Sequence, residues 1–96
     1  MKGICILGAT GSIGVSSLDV IRLHPDQYQV VALTANNNVD KLFQQCIEFK
    51  PAFAVLSTQD DATLLRDKLK SAVGVKTEVL SGLESLEYVS QLDQVD

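Results

Sequence analysis

The sequence is poor in the features that mark several common classes of protein. Lysine and arginine together number only 8 against 12 acidic residues, and they form no cluster. A nucleic-acid or anionic-membrane surface needs a basic patch, so the sequence argues against both partners. No apolar run approaches the roughly 20 residues of a transmembrane helix, and the first apolar run is too short for a signal peptide. The sequence therefore predicts a soluble, cytoplasmic protein.

Cysteine is also scarce. The two cysteines are isolated from each other: Cys5 lies in the first apolar run and Cys46 in an amphipathic helical pattern. Such spacing fits neither a disulfide framework nor a metal site. We therefore expect both to be reduced, buried and small apolar side chains.

The chain lacks residues arranged for catalysis. His24 precedes a proline at a predicted helix end and is expected to be a cap or surface residue. Asp60 and Asp61 suit a helix N-terminus, where negative charge is favourable. Asp93 and Asp96 are expected to be solvated charges. We find no nucleophile, no acid–base pair and no metal cluster, so no catalytic and no metal-binding residue is predicted.

Short apolar runs alternate with amphipathic segments along the whole chain. Continuous apolar runs are typical of strands covered on both faces, as in parallel sheets. This order predicts a Rossmann-like α/β fold with helices flanking a parallel sheet. The predicted strands cover 3–7, 29–34, 53–56 and 77–80, the last nearest an edge, and the predicted helices cover 12–23, 39–49, 62–72 and a segment from 83 onward.

Local signals set the predicted element ends. Pro25 should end the first helix after His24, and the asparagines at 36–38 should cap the second. Gly74 should terminate the third helix, and residues 81–84 resemble a capping box before the fourth. The apolar residues predicted on one face of the second helix are Val39, Leu42, Phe43, Cys46, Ile47 and Phe49, and those of the fourth are Leu83, Leu86 and Val89.

A glycine-rich loop joins the first predicted strand to the first predicted helix, with the spacing G-x-x-G-x-x-G. Gly8 can make the first turn, Gly11 can admit a phosphate close to the backbone, and Gly14 can let the helix pack closely. Thr10 and Ser12 add hydroxyl donors. Free N–H groups at a helix start favour anions, so the loop predicts nucleotide binding. The alternative is a tight strand-to-helix connection without a ligand.

A second loop, Ala35 to Asn38, follows the second predicted strand. NAD-binding enzymes commonly place Asp or Glu there to hold the ribose hydroxyls, whereas this chain has Asn36, Asn37 and Asn38. Without a carboxylate to repel it, a ribose 2′-phosphate is tolerated, so NADP is favoured over NAD. Ligands of such sheets bind beyond the carboxyl ends of the strands where the strand order reverses, and both loops should reach that point.

These residues resemble the N-terminal part of the 1-deoxy-D-xylulose 5-phosphate reductoisomerase family. The matching segments are Gly8-Ala9-Thr10-Gly11-Ser12-Ile13-Gly14, Ser17-Leu18-Asp19-Val20-Ile21-Arg22, 30–35, 38–39, 45–46, 54–55 and 77–82, with Pro25 and Pro51. The resemblance implies that Thr10, Gly11, Ser12 and Ile13 contact the phosphates of NADPH. It also implies that Asn36, Asn37 and Asn38 lie near the adenosine 2′-phosphate.

The same resemblance implies the activity of a whole enzyme. That enzyme is an oxidoreductase and isomerase of non-mevalonate isoprenoid biosynthesis, which converts 1-deoxy-D-xylulose 5-phosphate to 2-C-methyl-D-erythritol 4-phosphate with NADPH and Mg or Mn. It would be a homodimer. Residues 1–96 would form only an NADP-binding part of it, unable to catalyse the reaction. Because its sheet would then be incomplete, we expect an exposed edge and either low stability or self-association.

Two other interpretations remain open from the residues alone. One is a free-standing nucleotide-binding module without a reaction of its own. The other is the N-terminus of a different NADP-dependent reductase, such as a semialdehyde dehydrogenase, because those enzymes share a similar Gly-Ala-Thr-Gly loop.

Overall fold

Four strands alternate with four helices in the computed structural model. It describes residues 2–95, so Met1 and Asp96, the latter predicted above as a solvated charge, lie outside the described residues. The elements are β1 (Lys2–Ile6), α1 (Ser12–Leu23), β2 (Tyr28–Thr34), α2 (Val39–Phe49), β3 (Phe53–Leu56), α3 (Gln59–Leu69), β4 (Glu78–Ser81) and α4 (Leu83–Ser90).

The four strands form one parallel sheet in the order β1-β2-β3-β4. The predicted Rossmann-like α/β class is confirmed, and β4 is an outer strand as expected. Because each strand is added on the same side and crossovers are right-handed, α1, α2 and α3 lie on one face of the sheet. The expected reversal of strand order does not occur among residues 2–95, since no later strand returns to β1 there.

Each face of the sheet has its own apolar cluster. The larger one lies between the sheet and α1–α3, and its fully buried side chains include Leu18, Leu33, Leu42, Leu56 and Leu65. The smaller one joins Val89 of α4 to Ala32 and Val55 on the opposite face. Most of the apolar core therefore lies between the sheet and the first three helices.

The two cysteines differ in burial. Cys46 lies in the larger cluster with no exposed surface, and Cys5 is half-buried; both are free thiols. Burial raises the pKa of the Cys46 thiol to about 12 and also raises the pKa of Cys5. Full burial was therefore correct for Cys46 and overstated for Cys5.

Helix α3 begins and ends earlier than predicted. Thr58 caps it, because its side chain accepts a hydrogen bond from the Asp61 amide at 3.2 Å, and the helix begins at Gln59. It ends at Leu69, so the prediction that Gly74 terminates it was wrong. Gly74 instead adopts a φ of +83° in the turn beyond the helix, where a left-handed residue is required.

The predicted capping box before α4 is also absent. Gly82 occupies the N-cap with a φ of +89° and makes no side-chain cap. Ser81 contributes its carbonyl oxygen, which accepts a bond from the Ser85 hydroxyl at 2.7 Å. Leu83 is 79% exposed, so of the predicted apolar face only Val89 is fully buried. The glycine lacks the side-chain oxygen that a capping box needs.

One position of the predicted apolar face of α2 was wrong. Ile47 is 39% exposed, whereas the polar side chain of Gln45 is only 8% exposed. Gln45 is buried because its side-chain amide donates a hydrogen bond to the carbonyl oxygen of Ala9 in the glycine loop.

Candidate functional site

The structure requires glycine at two of the three loop positions, and for a different reason at each. Gly8 has a φ of +70°, which bends the chain after β1 and which few other residues tolerate. A Cβ on Gly14 would lie 2.3 Å from the Gly8 carbonyl oxygen and 2.6 Å from the Ala9 Cα, so only glycine lets α1 pack on the loop. A Cβ on Gly11 would meet nothing closer than 3.4 Å. The fold therefore requires Gly8 and Gly14 but leaves open space beside Gly11.

The end of β2 holds the loop in place. The Gly8 amide donates to the Thr34 hydroxyl oxygen at 3.0 Å, and the Ala9 amide donates to the Thr34 carbonyl oxygen at 2.7 Å. The Gly11 amide donates back to the Gly8 carbonyl oxygen at 3.0 Å, which closes the turn. Thr34 is 4% exposed, so its side chain is held in the protein where it accepts the bond from Gly8.

Unpaired donors follow at the start of α1. Within residues 2–95, the amide N–H groups of Thr10, Ser12 and Ile13 have no hydrogen-bond acceptor. Gly11 is the N-cap and supplies no side chain, and the first turn of α1 contains no acidic residue. A row of free N–H groups at the positive end of a helix, without a competing carboxylate, is suited to an anion.

The asparagine turn after β2 is packed against the end of β3. The Ser57 hydroxyl contacts both oxygens of Asn36, and the Ser57 amide donates to the Asn36 carbonyl oxygen at 3.2 Å. Asn38 caps α2 by accepting a bond from the Lys41 amide at 3.2 Å, as predicted. Asn37 is exposed, and its side chain makes no hydrogen bond to the described part of the chain.

A cavity of about 350 Å³ opens at the carboxyl ends of all four strands. Of the predicted site residues, Gly8 and Asn36 line it, whereas 10–13, Asn37 and Asn38 do not. Its other lining residues are Leu7, Thr34, Ala35, Val55, Leu56, Ser57, Gly82, Leu83 and Leu86. The cavity lies at the edge of the sheet where the carboxyl ends of the four parallel strands meet. It does not lie at a reversal of strand order, as was predicted.

Sequence reasoning missed the contribution of β3 and β4 to this cavity. Leu83 and Leu86 were predicted only as part of the apolar face of the fourth helix, and Ser57 was not assigned to a site. The available signal was their position directly after the third and fourth strands, because the carboxyl ends of parallel strands share one edge. The exposed Leu83 lies there rather than in the core.

Among residues 2–95, no three His, Cys, Asp or Glu side chains come together as metal ligands. In the same stretch no helix is both long and apolar enough to span a bilayer.

Residues 4–96 match the family model of 1-deoxy-D-xylulose 5-phosphate reductoisomerase. The chain belongs to this family. It is 54% identical to the 1-deoxy-D-xylulose 5-phosphate reductoisomerase of Methylococcus capsulatus over 96 residues, and 55% identical to that of Nitrosomonas europaea over 95 residues. It covers 24% and 23% of those two proteins, so it spans about a quarter of the reductoisomerases it matches.

Solved reductoisomerase structures resemble the chain over almost all its length. A structure of DOX-P reductoisomerase in complex with NADPH, fosmidomycin and magnesium shares 42% identity at a TM-score of 0.93 and covers 100% of this chain and 23% of that one. The reductoisomerase from Zymomonas mobilis in complex with NADPH shares 34% identity at a TM-score of 0.86, covering 97% and 24%. Membership of this family removes the alternative of a different reductase family.

Proposed function

We propose that the chain binds NADPH through the glycine loop and the start of α1. The supporting observation is the row of unpaired amide N–H groups at Thr10, Ser12 and Ile13, beside the open position of Gly11. These residues fit the group, because phosphate oxygens can accept from several backbone N–H groups at once at the positive end of a helix. Gly8 shapes the turn that brings the backbone to the phosphates.

We place the adenosine end of the cofactor beside the asparagine turn. Asn36, Asn37 and Asn38 present no carboxylate, so a ribose 2′-phosphate meets no repulsion there. Asn37 supports this assignment best, since its exposed amide is uncommitted among the described residues. The largely apolar cavity next to Asn36 is the type of space that a flat base occupies.

The reaction of the whole protein is a further proposal. The family, the NADPH complexes of its solved members and the coverage of about a quarter support a part that holds the cofactor of an enzyme making 2-C-methyl-D-erythritol 4-phosphate. NADPH supplies a hydride when bound, and residues 1–96 bind and orient it. The groups that contact the sugar phosphate and the divalent metal would lie outside this chain, which we expect to be inactive alone.

A homodimeric whole protein and a cytoplasmic location are proposals of the same kind. Analytical ultracentrifugation of the whole protein would test the first, with a monomeric mass contradicting it. Cell fractionation would test the second, with recovery in the membrane or periplasmic fraction contradicting it.

Isothermal titration of the chain with NADPH and with NADH tests cofactor binding. We expect NADPH to bind more tightly. No binding of either dinucleotide would contradict the proposal, and equal affinities would contradict the assignment of the 2′-phosphate to the asparagine turn.

A charge variant sharpens the same experiment. Asn37→Asp should weaken NADPH binding more than NADH binding, because a carboxylate then faces the extra phosphate. Gln91→Glu adds the same charge at an exposed position after α4, far from the turn along the chain, and should change neither affinity. Equal losses of NADPH affinity in both variants would mean that the added net charge, and not a contact between Asn37 and the 2′-phosphate, weakens binding.

A further inference from the structure

Gln45 is a polar side chain in an otherwise apolar part of α2. It is 8% exposed, and it lies next to Cys46 and one turn after Leu42, both of which have no exposed surface. Its side-chain Nε2 donates a hydrogen bond of 2.7 Å to the carbonyl oxygen of Ala9. Its Oε1 is buried and has no partner among the described residues. An apolar side chain would fill this space but would leave the buried Ala9 carbonyl oxygen without this donor, so the amide has a role beyond packing.

The contact reaches Ala9, a residue of the glycine loop that has no exposed surface. Ala9 donates its amide to the Thr34 carbonyl oxygen at 2.7 Å and accepts from Gln45 on its other side. The peptide groups before and after Ala9 are therefore both fixed, one by β2 and the other by α2.

The second of these bonds orients a donor of the site. The peptide between Ala9 and Thr10 is trans, so its N–H points away from its C=O. Gln45 draws the Ala9 carbonyl oxygen into the protein, which turns the Thr10 N–H outward. That N–H is one of the unpaired donors at the start of α1.

We propose that Gln45 is a positioning residue for dinucleotide binding, which acts through the Ala9 carbonyl to aim the Thr10 N–H at the cofactor phosphates. This rests on the proposed function, since it assumes that the phosphates bind at the glycine loop. Gln45 itself lies on the inner side of the loop and does not touch the cofactor. It acts only through the backbone that it holds.

The decisive variant is Gln45→Met, which keeps the length and volume of the side chain and removes the hydrogen bond. It leaves the Ala9 oxygen without this donor but also removes the unpaired Oε1, so the two changes oppose each other in stability. We expect NADPH to bind at least tenfold more weakly by isothermal titration, with little change in melting temperature.

Two control variants separate positioning from general effects. Gln44→Met makes the same substitution at the exposed neighbouring position and should bind NADPH like the parent chain. Leu65→Val removes a methylene from the core under α3, away from the loop, and should lower the melting temperature without changing the affinity. Equal weakening by Leu65→Val would overturn the proposal, because the loss in Gln45→Met would then follow from stability alone.

Amide signals give a readout that does not need the cofactor. In ¹H–¹⁵N spectra, Gln45→Met should shift the Thr10 and Gly11 signals and speed hydrogen exchange at Ala9, while the signals of α3 stay in place. If the parent chain bound no NADPH, the proposed function would fail, and these signals would still show whether Gln45 orients the Thr10 N–H. Unchanged Thr10 and Gly11 signals, or unchanged affinity in a chain that binds NADPH, would overturn it.

Discussion

Two loop glycines only a turn apart should respond in opposite ways to the same added methyl group. A Cβ on Gly11 would find no atom nearer than 3.4 Å, which is ordinary contact, and the φ of −79° at this N-cap is accessible to alanine. A Cβ on Gly14 would lie 2.3 Å from the Gly8 carbonyl oxygen, which belongs to the backbone and has little freedom to move. We therefore expect Gly11→Ala to impair binding and Gly14→Ala to impair folding.

The stability change at Gly11 should be small, because two effects oppose each other. Replacing glycine reduces the entropy of the unfolded chain and stabilises by about 0.4–1 kcal/mol. Alanine is a poorer N-cap than glycine, and caps of this kind typically contribute about 1 kcal/mol. At Gly14, overpacking costs about 1–3 kcal/mol and the better helix propensity of alanine offsets at most about 1 kcal/mol. A net loss of about 2 kcal/mol at Gly14 lowers the melting temperature by about 8–16 °C.

The affinity for NADPH should fall more in Gly11→Ala than in Gly14→Ala, which is the reverse of the order expected for stability. A methyl group on Gly11 would stand in the space that a phosphate needs in order to reach the amide N–H groups. Loss of one hydrogen bond to a charged group costs about 1.5–3 kcal/mol, which corresponds to roughly tenfold to hundredfold weaker binding. Thermal melting by circular dichroism and titration with NADPH measure the two quantities on the same samples.

One result would refute the reasoning directly. If Gly11→Ala bound NADPH as tightly as the parent chain, the phosphates would not approach the backbone at Gly11. A large fall in melting temperature for Gly11→Ala, with none for Gly14→Ala, would show that the packing around the loop differs from the structure.

Three further predictions concern stability and reactivity. Thr58→Ala should cost about 1 kcal/mol in chemical denaturation through loss of the α3 cap, and an unchanged midpoint would mean that the bond to Asp61 contributes nothing. Leu65→Ala should cost about 2–5 kcal/mol in the same assay, because its side chain has no exposed surface; a loss below 1 kcal/mol would contradict the packing under α3. Since burial raises the pKa of Cys46 to about 12, the neutral thiol is favoured in the folded state, and stability should fall as pH rises from about 9, the ordinary thiol value, toward 12. Replacing Cys46 with alanine should reduce that slope in pH-dependent melting, and an identical slope would assign it to other groups.

Elements whose signals are local could be predicted from the sequence closely. Helix α1 runs from Ser12 to Leu23 as expected, since a glycine loop precedes it and Pro25 follows its end. Strand β3 has its predicted bounds because proline and turn residues enclose its short apolar run. Helix α3 begins three residues earlier than predicted because the turn that follows Thr58 was not counted as helix.

The candidate site was predictable only where it depends on a single segment. The glycine spacing and the Asn38 cap are visible along the chain. The cavity formed with Leu83 and the bond from Gln45 to Ala9 are not, because they join residues far apart in sequence. Periodicity also placed Ile47 on the buried face, since helical spacing cannot show that a tertiary hydrogen bond draws a glutamine inward instead.

The simple order of the sheet affects how this chain can acquire its structure. Among residues 2–95, β2, β3 and β4 each pair with the strand that precedes them in sequence, so each new βα unit can add to a surface that already exists. In this part of the chain each pairing joins strands that are neighbours in sequence, so the entropy lost in closing each crossover stays moderate. Residues 2–95 can therefore assemble in the direction of synthesis, with the glycine loop fastened to Thr34 as soon as β2 joins β1.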